Sequence, residues 1–75
     1  DTFLHDSLAR AWSHCGGSGT ATVELESTLA EVVEVGPVSA SAAPATAIAC
    51  LEEATWALLL PASFSAEHAQ WRVDL

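Results

Sequence analysis

Apolar residues recur at helical spacing at the start of the chain, and the polar side chains between them fall on the opposite face. The apolar stripe consists of Leu4, Leu8, Ala11, Trp12 and Cys15. This spacing predicts an amphipathic helix over residues 3–15. Asp1 or Thr2 can cap its start, and Gly16 and Gly17 supply the left-handed backbone that ends helices.

The period then changes from helical to alternating. Residues 20–26 place Ala21, Val23 and Leu25 on one side, with Thr and Glu between them, which predicts a strand with one solvated face. A four-residue connection over 27–30 leads to a second strand over 31–36, so the two strands form an antiparallel hairpin. Gly36-Pro37 should end or bend this pairing, because proline has no amide hydrogen to donate.

A second helix is predicted over residues 44–58. Pro44 suits a first helical position, and small or apolar residues cover one continuous arc behind it. The arc consists of Ala47, Ile48, Cys50, Leu51, Ala54, Thr55 and Leu58. Trp56 falls on the opposite arc with Glu52 and Glu53. Either the helix loosens before Trp56 or its indole covers another surface, and we hypothesise that it anchors a binding partner.

The last segment, residues 67–75, alternates throughout, which predicts a third strand. Its apolar side consists of Ala69, Trp71, Val73 and Leu75. The order helix, strand, strand, helix, strand predicts a single α+β domain over residues 1–75. Pairing and handedness rules give a three-stranded antiparallel sheet of order 2-1-3 with both helices on one face. Trp12 and Trp71 then fill the core between helix and sheet.

This topology leaves one face of the sheet free and the third strand at an edge. The free face carries Thr20, Thr22, Glu24, Glu26, His68, Gln70, Arg72 and Asp74. We expect Arg72 to lie opposite Glu24 or Glu26 and to pair with it across the strands. An edge strand offers unpaired backbone groups to an extended peptide. The candidate docking residues on this edge are His68, Gln70, Trp71, Arg72 and Val73.

Cys15 and Cys50 are the only cysteines, and each lies on the apolar face of a predicted helix. With both helices on one face of the sheet, the two thiols meet. We therefore predict a disulfide formed in an oxidising compartment, which would stabilise the fold by roughly 3–4 kcal/mol. The alternative is a pair of buried, unreactive thiols in a cytosolic protein.

Composition narrows the classes of partner. The chain is 51% hydrophobic and 16% charged, the balance of a folded domain. Ten acidic residues against two arginines and no lysine give a net charge of −8, which argues against nucleic acid and anionic membrane surfaces. The longest apolar stretch, 54–66, contains Pro61 and is too short to insert across a bilayer.

Residues that could carry chemistry lack the required spacing. His14 adjoins Cys15, but neighbouring side chains on a helix point about 100° apart, so they do not form a Cys–His pair. His5, His14 and His68 show no zinc-site spacing. The glycines of residues 16–19 precede a strand, whereas phosphate-binding loops lead into a helix. We therefore predict neither catalytic residues, cofactor nor metal.

Several short segments together resemble the C-terminal domain of TonB, in the cysteine-containing form found in myxobacterial envelope proteins. They are residues 19–25 (GTATVEL), residues 32–35 (VVEV), the helix from Cys50 to Trp56, residues 56–62 (WALLLPA) and the final alternating strand. The related TolA C-terminal domain shares this architecture. The resemblance implies an α+β fold that binds partner proteins in the cell envelope through a sheet edge.

The leading functional prediction is a non-catalytic interaction module of the bacterial cell envelope, periplasmic or secreted, that binds a protein partner by adding a strand to its sheet. One alternative is an acidic inhibitor or immunity-type protein that neutralises a basic partner, as the net charge of −8 favours. Another is a small accessory subunit of a larger envelope complex, in which neighbouring subunits cover Trp56.

Overall fold

The computed structural model describes the whole chain, residues 1–75, as two helices and four strands. In chain order they are α1 (Thr2–His14), β1 (Ala21–Thr28), β2 (Glu31–Val35), β3 (Ser39–Ala40), α2 (Ala45–Trp56) and β4 (Ala69–Asp74). All strand pairs are antiparallel. The predicted α+β fold is confirmed.

Strand β1 is the centre of the sheet and pairs with every other strand. It pairs with β4 along Thr22–Ser27 on one side, so β2 and β3 share its other side. The predicted order of the three long strands is therefore confirmed, with β1 between the other two. The short strand β3 was not predicted.

The break between β2 and β3 lies at Gly36-Pro37, where the sequence predicts a bend. The Gly36 amide still donates to the Glu24 carbonyl over 2.8 Å, and the Ser41 amide donates to the Thr20 carbonyl over 3.0 Å. Pairing with β1 therefore resumes after the proline, and β2 and β3 form one interrupted edge.

The hairpin turn is tighter than predicted. β1 continues to Thr28, beyond the predicted end at residue 26, and the turn consists of Leu29 and Ala30 alone. Both have left-handed backbone, with φ of 48° and 65°, as a two-residue turn of this twist requires. A register shift between Glu26 and Ser27 adds a β-bulge to the pairing with β2.

Helix α1 has a defined cap at each end. The Asp1 carboxylate accepts hydrogen bonds from the Phe3 and Leu4 amides over 2.8 and 3.3 Å. At the other end Gly16 has a φ of 76°, and the Gly17 amide donates to the Trp12 carbonyl over 2.9 Å. The hydrogen bond that closes the helix end requires left-handed backbone at residue 16, which glycine adopts without steric cost.

Helix α2 is shorter than the predicted 44–58. Pro44 lies before the helix as its cap, with extended backbone at ψ 154°, and not at the first helical position as predicted. The helix ends at Trp56, before residue 58. Leu58 therefore lies outside the helix, although its spacing had placed it on the helical arc.

One hydrophobic core lies between the helices and the covered face of the sheet. It consists of Leu4, Leu8, Trp12, Ala21, Val23, Leu25, Val38, Ala47, Leu51, Phe64 and Val73. Both helices contribute to it, which confirms their placement on one face. Phe64 was not predicted as a core residue, since it lies in an irregular segment. Its ring packs against Trp71, with centroids 5.3 Å apart, and against Phe3 at 5.8 Å.

The predicted disulfide is confirmed: Cys15 and Cys50 are bonded, with their Cα atoms 5.6 Å apart. It joins the residue that caps the end of α1 to the middle of α2. A disulfide-bonded small domain is compatible with an extracytoplasmic location.

Candidate interaction surfaces

Strand β4 forms a free edge of the sheet, because it pairs only with β1. The Leu75 amide donates to the Ala21 carbonyl over 2.7 Å, and the Ala21 amide donates back to the Leu75 carbonyl over 3.4 Å. In an antiparallel pair, only every second residue of a strand points its backbone N–H and C=O groups at the partner strand. Leu75, which directly follows β4, is such a residue. The peptide groups of Gln70, Arg72 and Asp74 therefore face outward, away from the sheet.

The structure places the predicted docking residues along this one edge. Trp71 and Val73 lie opposite Leu25 and Val23, on the covered face of the sheet. Gln70 and Arg72 alternate with them on the open face and are exposed. His68 is also exposed and directly precedes β4.

Polar contacts tie β4 to β1 across the open face. The Gln70 amide nitrogen donates to the Glu26 carboxylate over 2.7 Å, and the His68 Nε2 lies 3.4 Å from the same carboxylate. The Thr22 hydroxyl donates to Asp74 over 3.0 Å. These contacts fix the position of the exposed strand.

Arg72 lies opposite Glu24 in the register, as predicted. Its ion pair is nonetheless with Asp74, whose Oδ1 lies 3.6 Å from the Arg72 Nε. The expected cross-strand ion pair is therefore wrong. Residues two apart on a strand share a face. Asp74 is therefore close enough to compete with Glu24 for the Arg72 guanidinium.

The open face also contains a shallow concavity of about 530 Å³. Its lining residues are Glu24, Leu25, Glu26, Glu34, Gly36, Gln70, Trp71 and Arg72. Three of these side chains are carboxylates and one is a guanidinium. The charge of the concavity suits a basic group.

A second depression of about 390 Å³ lies beside β2, and most of the residues that line it are apolar. We call it the hairpin–helix groove; its lining residues are Ala30, Glu31, Val32, Trp56, Leu58, Leu59 and Leu60. Trp56 is 50% exposed and Leu59 is 89% exposed. The indole breaks the helical pattern because it ends α2 and faces this groove. Trp56 was predicted from the sequence as a candidate binding residue. Leu59 and Leu60 were not predicted, because they belong to no periodic pattern.

The structure contains neither a candidate metal site nor a candidate membrane-spanning helix. No group of three or more His, Cys, Asp or Glu side chains is arranged to hold a metal ion. Both helices fall short of the length and hydropathy needed to cross a membrane. The candidate interaction surfaces are the β4 edge, the concavity on the open face and the hairpin–helix groove.

Comparison of the chain with protein-family models, with curated proteins and with solved structures gives no match.

Proposed function

We propose that the chain is a non-catalytic protein-interaction module of the bacterial cell envelope, which binds an extended segment of a partner protein along β4. The observation that carries this proposal is the free edge at Gln70, Arg72 and Asp74. Their outward peptide groups can form the hydrogen-bond ladder of an added strand.

The β4 edge is held in place before any partner arrives. Trp71 anchors it from the covered face, where its indole nitrogen donates to the Ser27 hydroxyl over 3.0 Å. Gln70 and Asp74 anchor it from the open face through their contacts with β1. A pre-ordered edge pays less ordering entropy on binding than a flexible one, which favours affinity.

The proposed location is periplasmic or secreted. The Cys15–Cys50 disulfide supports it, because such bonds persist in oxidising compartments. The resemblance to TonB and TolA C-terminal domains supports the same compartment and the same edge-binding mode. Under this proposal the module acts on protein partners, without a cofactor and without inserting into the membrane, either alone or as an accessory subunit of a larger complex.

A second candidate function is an acidic inhibitor that neutralises a basic partner. The concavity lined by Glu24, Glu26 and Glu34 favours it, as does the net charge of −8. The two functions differ in physical basis. Binding to carboxylates weakens as salt screens their charge, whereas backbone hydrogen bonding along an edge is much less sensitive to salt.

The test uses ¹⁵N-labelled protein and a panel of extended peptides of alternating Thr and Val with Lys at varied positions. We expect amide signals of Gln70, Arg72 and Asp74 to shift most. The decisive variant is Arg72→Pro, which removes one outward N–H and leaves the pairing of β4 with β1 intact. Its matched control is Arg72→Thr, which removes the same charge but keeps the N–H.

Edge binding predicts that Arg72→Pro weakens the best peptide at least about tenfold relative to Arg72→Thr, at equal thermal stability. Unchanged β4 amides across the whole panel would overturn the proposal. Equal or stronger binding by both variants, together with loss of binding in high salt, would favour the acidic inhibitor instead, because removing the Arg72 cation makes the concavity more acidic.

A further inference from the structure

The hairpin–helix groove lies on the opposite side of β1 from the proposed docking edge. The residues from the hairpin, Ala30 to Val32, belong to the turn and to β2, whereas β4 pairs on the other side. A ligand in the groove would therefore leave the β4 edge free. Any function of the groove is separate from the one proposed above.

The groove exposes large apolar side chains next to one another. Trp56 is 50% exposed and Leu59 is 89% exposed, and Leu58 and Leu60 lie beside them in the same lining. Isolated apolar residues are common on protein surfaces, but exposed apolar side chains that adjoin one another around a depression form a candidate binding surface. Tryptophan is also the side chain most enriched among residues that dominate binding energy.

The charges around the groove select the partner. Glu31 is its only polar lining residue. Glu52 and Glu53 lie one helical turn before Trp56 and thus next to it on the helix surface. No cationic side chain belongs to the lining, and the chain as a whole carries a net charge of −8. Exposed apolar side chains with carboxylates next to them are complementary to an apolar segment that carries Lys or Arg.

The same charge distribution disfavours two other occupants. A second copy of the chain would bring another net charge of −8 against the first. An anionic membrane surface would also be repelled. A cation from a partner protein, by contrast, can pair with Glu31 and can stack on the exposed indole of Trp56.

We propose that the hairpin–helix groove binds a short segment of a partner protein that carries two or more apolar side chains flanked by Lys or Arg. Its apolar side chains contact Trp56 and Leu59, and its cations lie over Glu31, Glu52 and Glu53. With β4 free on the other side, the module can bind two partner segments at once.

The test uses three short acetylated and amidated peptides. The first contains Leu flanked by Lys, the second replaces Leu with Ser, and the third replaces Lys with Glu. Binding is followed by the indole N–H signal of Trp56 and the backbone amide signals of Glu31 and Val32 in ¹⁵N-labelled protein. We expect these signals to shift with the first peptide and the other two peptides to bind at least about tenfold more weakly.

Variants localise the binding. Trp56→Ala and Leu59→Ser should each weaken the first peptide, the former at least about tenfold. Leu59 is so exposed that its replacement leaves the fold intact. The matched control is Val33→Thr, which removes an exposed apolar side chain of β2 outside the groove and should leave the affinity unchanged.

Several outcomes would overturn the proposal. One is an unchanged affinity in both Trp56→Ala and Leu59→Ser. Another is equal weakening by Val33→Thr, or shifts centred on Glu24 and Glu34, which would indicate diffuse charge binding. A dimer of the free protein that dissociates on Leu59→Ser, or binding of the wild type but not Leu59→Ser to phosphatidylcholine vesicles, would assign the groove to a different occupant.

Discussion

The indole N–H of Trp71 donates a hydrogen bond to the hydroxyl oxygen of Ser27 over 3.0 Å. Ser27 is one of two buried polar residues, with Thr55, and it lies at the register shift between β1 and β2. The bond provides an acceptor for the indole N–H of Trp71, which is partly buried beneath the sheet. It links the bulge of β1 to the strand that we propose as the docking edge.

Replacing Ser27 by Ala should lower the free energy of unfolding by about 1–2 kcal/mol, because the Trp71 indole loses its acceptor. Urea unfolding measures this change. In a Trp71→Phe background the same replacement should cost less, since phenylalanine has no N–H to leave unpaired. An equal cost in both backgrounds would show that the hydrogen bond contributes nothing to stability.

Loss of the disulfide should lower the free energy of unfolding by roughly 3–4 kcal/mol, since the closed loop no longer restricts the unfolded chain. The variant is Cys15→Ala with Cys50→Ala, compared by urea unfolding with the oxidised wild type. Reduced wild type is the control and should lose about as much. Intact mass after alkylation reports the thiol state, and free thiols in protein purified without reductant would contradict the bonded structure.

Gly16 and Gly17 should respond differently to replacement by Ala. At Gly17 an added Cβ would overlap the Trp12 indole ring, so we expect a loss of about 1–3 kcal/mol as the ring is displaced. At Gly16 an added Cβ has open space, but φ is 76°, which costs about 1 kcal/mol. Near-ultraviolet circular dichroism should change at Gly17→Ala and not at Gly16→Ala. The reverse pattern would contradict this account of the helix end.

Leu29→Asn should raise the free energy of unfolding by about 1 kcal/mol, because asparagine tolerates the left-handed backbone that leucine holds at a φ of 48°. Leu29 is 62% exposed, so little packing is lost. The matched control is Leu29→Ala, which removes the side chain but keeps the unfavourable backbone and should leave stability unchanged. Thermal unfolding compares both variants, and equal values would show that the turn carries no strain.

The elements that could be predicted are those in which apolar and polar residues keep one period over the whole element. In α1 the stripe through Leu4, Leu8 and Trp12 repeats over the whole helix, and in β4 Trp71 and Val73 alternate with polar residues throughout. Each such element has one buried face, so its period determines both its type and its orientation. The central position of β1 and the Cys15–Cys50 pairing follow from those orientations.

The missed features have no periodic signal. β3 has only two residues, too few to show alternation. Phe64 lies in an irregular segment, and its burial arises from contacts with Phe3 and Trp71, which are remote in sequence. The turn at Leu29-Ala30 lacks the Asn or Gly that signals a two-residue turn. The sequence therefore predicts a longer connection than the structure contains.

The candidate surfaces were predictable to different degrees. The β4 edge follows from strand order alone, because the last strand pairs on one side only. The hairpin–helix groove could not be derived in this way. It forms where Leu58–Leu60, outside any helix or strand, approach the β2 hairpin, a contact between distant segments. Its one indication in the sequence is the position of Trp56 off the helical pattern.

The disulfide divides the chain into a closed ring and two tails, with consequences for attack by proteases. Its cysteines are 35 positions apart, and the ring between them contains β1, β2 and β3. A protease that cuts the exposed hairpin tip at Leu29 opens the ring but releases no fragment. A cut at Leu59, which is more exposed than Leu29, would instead detach β4 from the ring covalently. The proposed docking edge is thus the part of the sheet that the disulfide leaves unprotected.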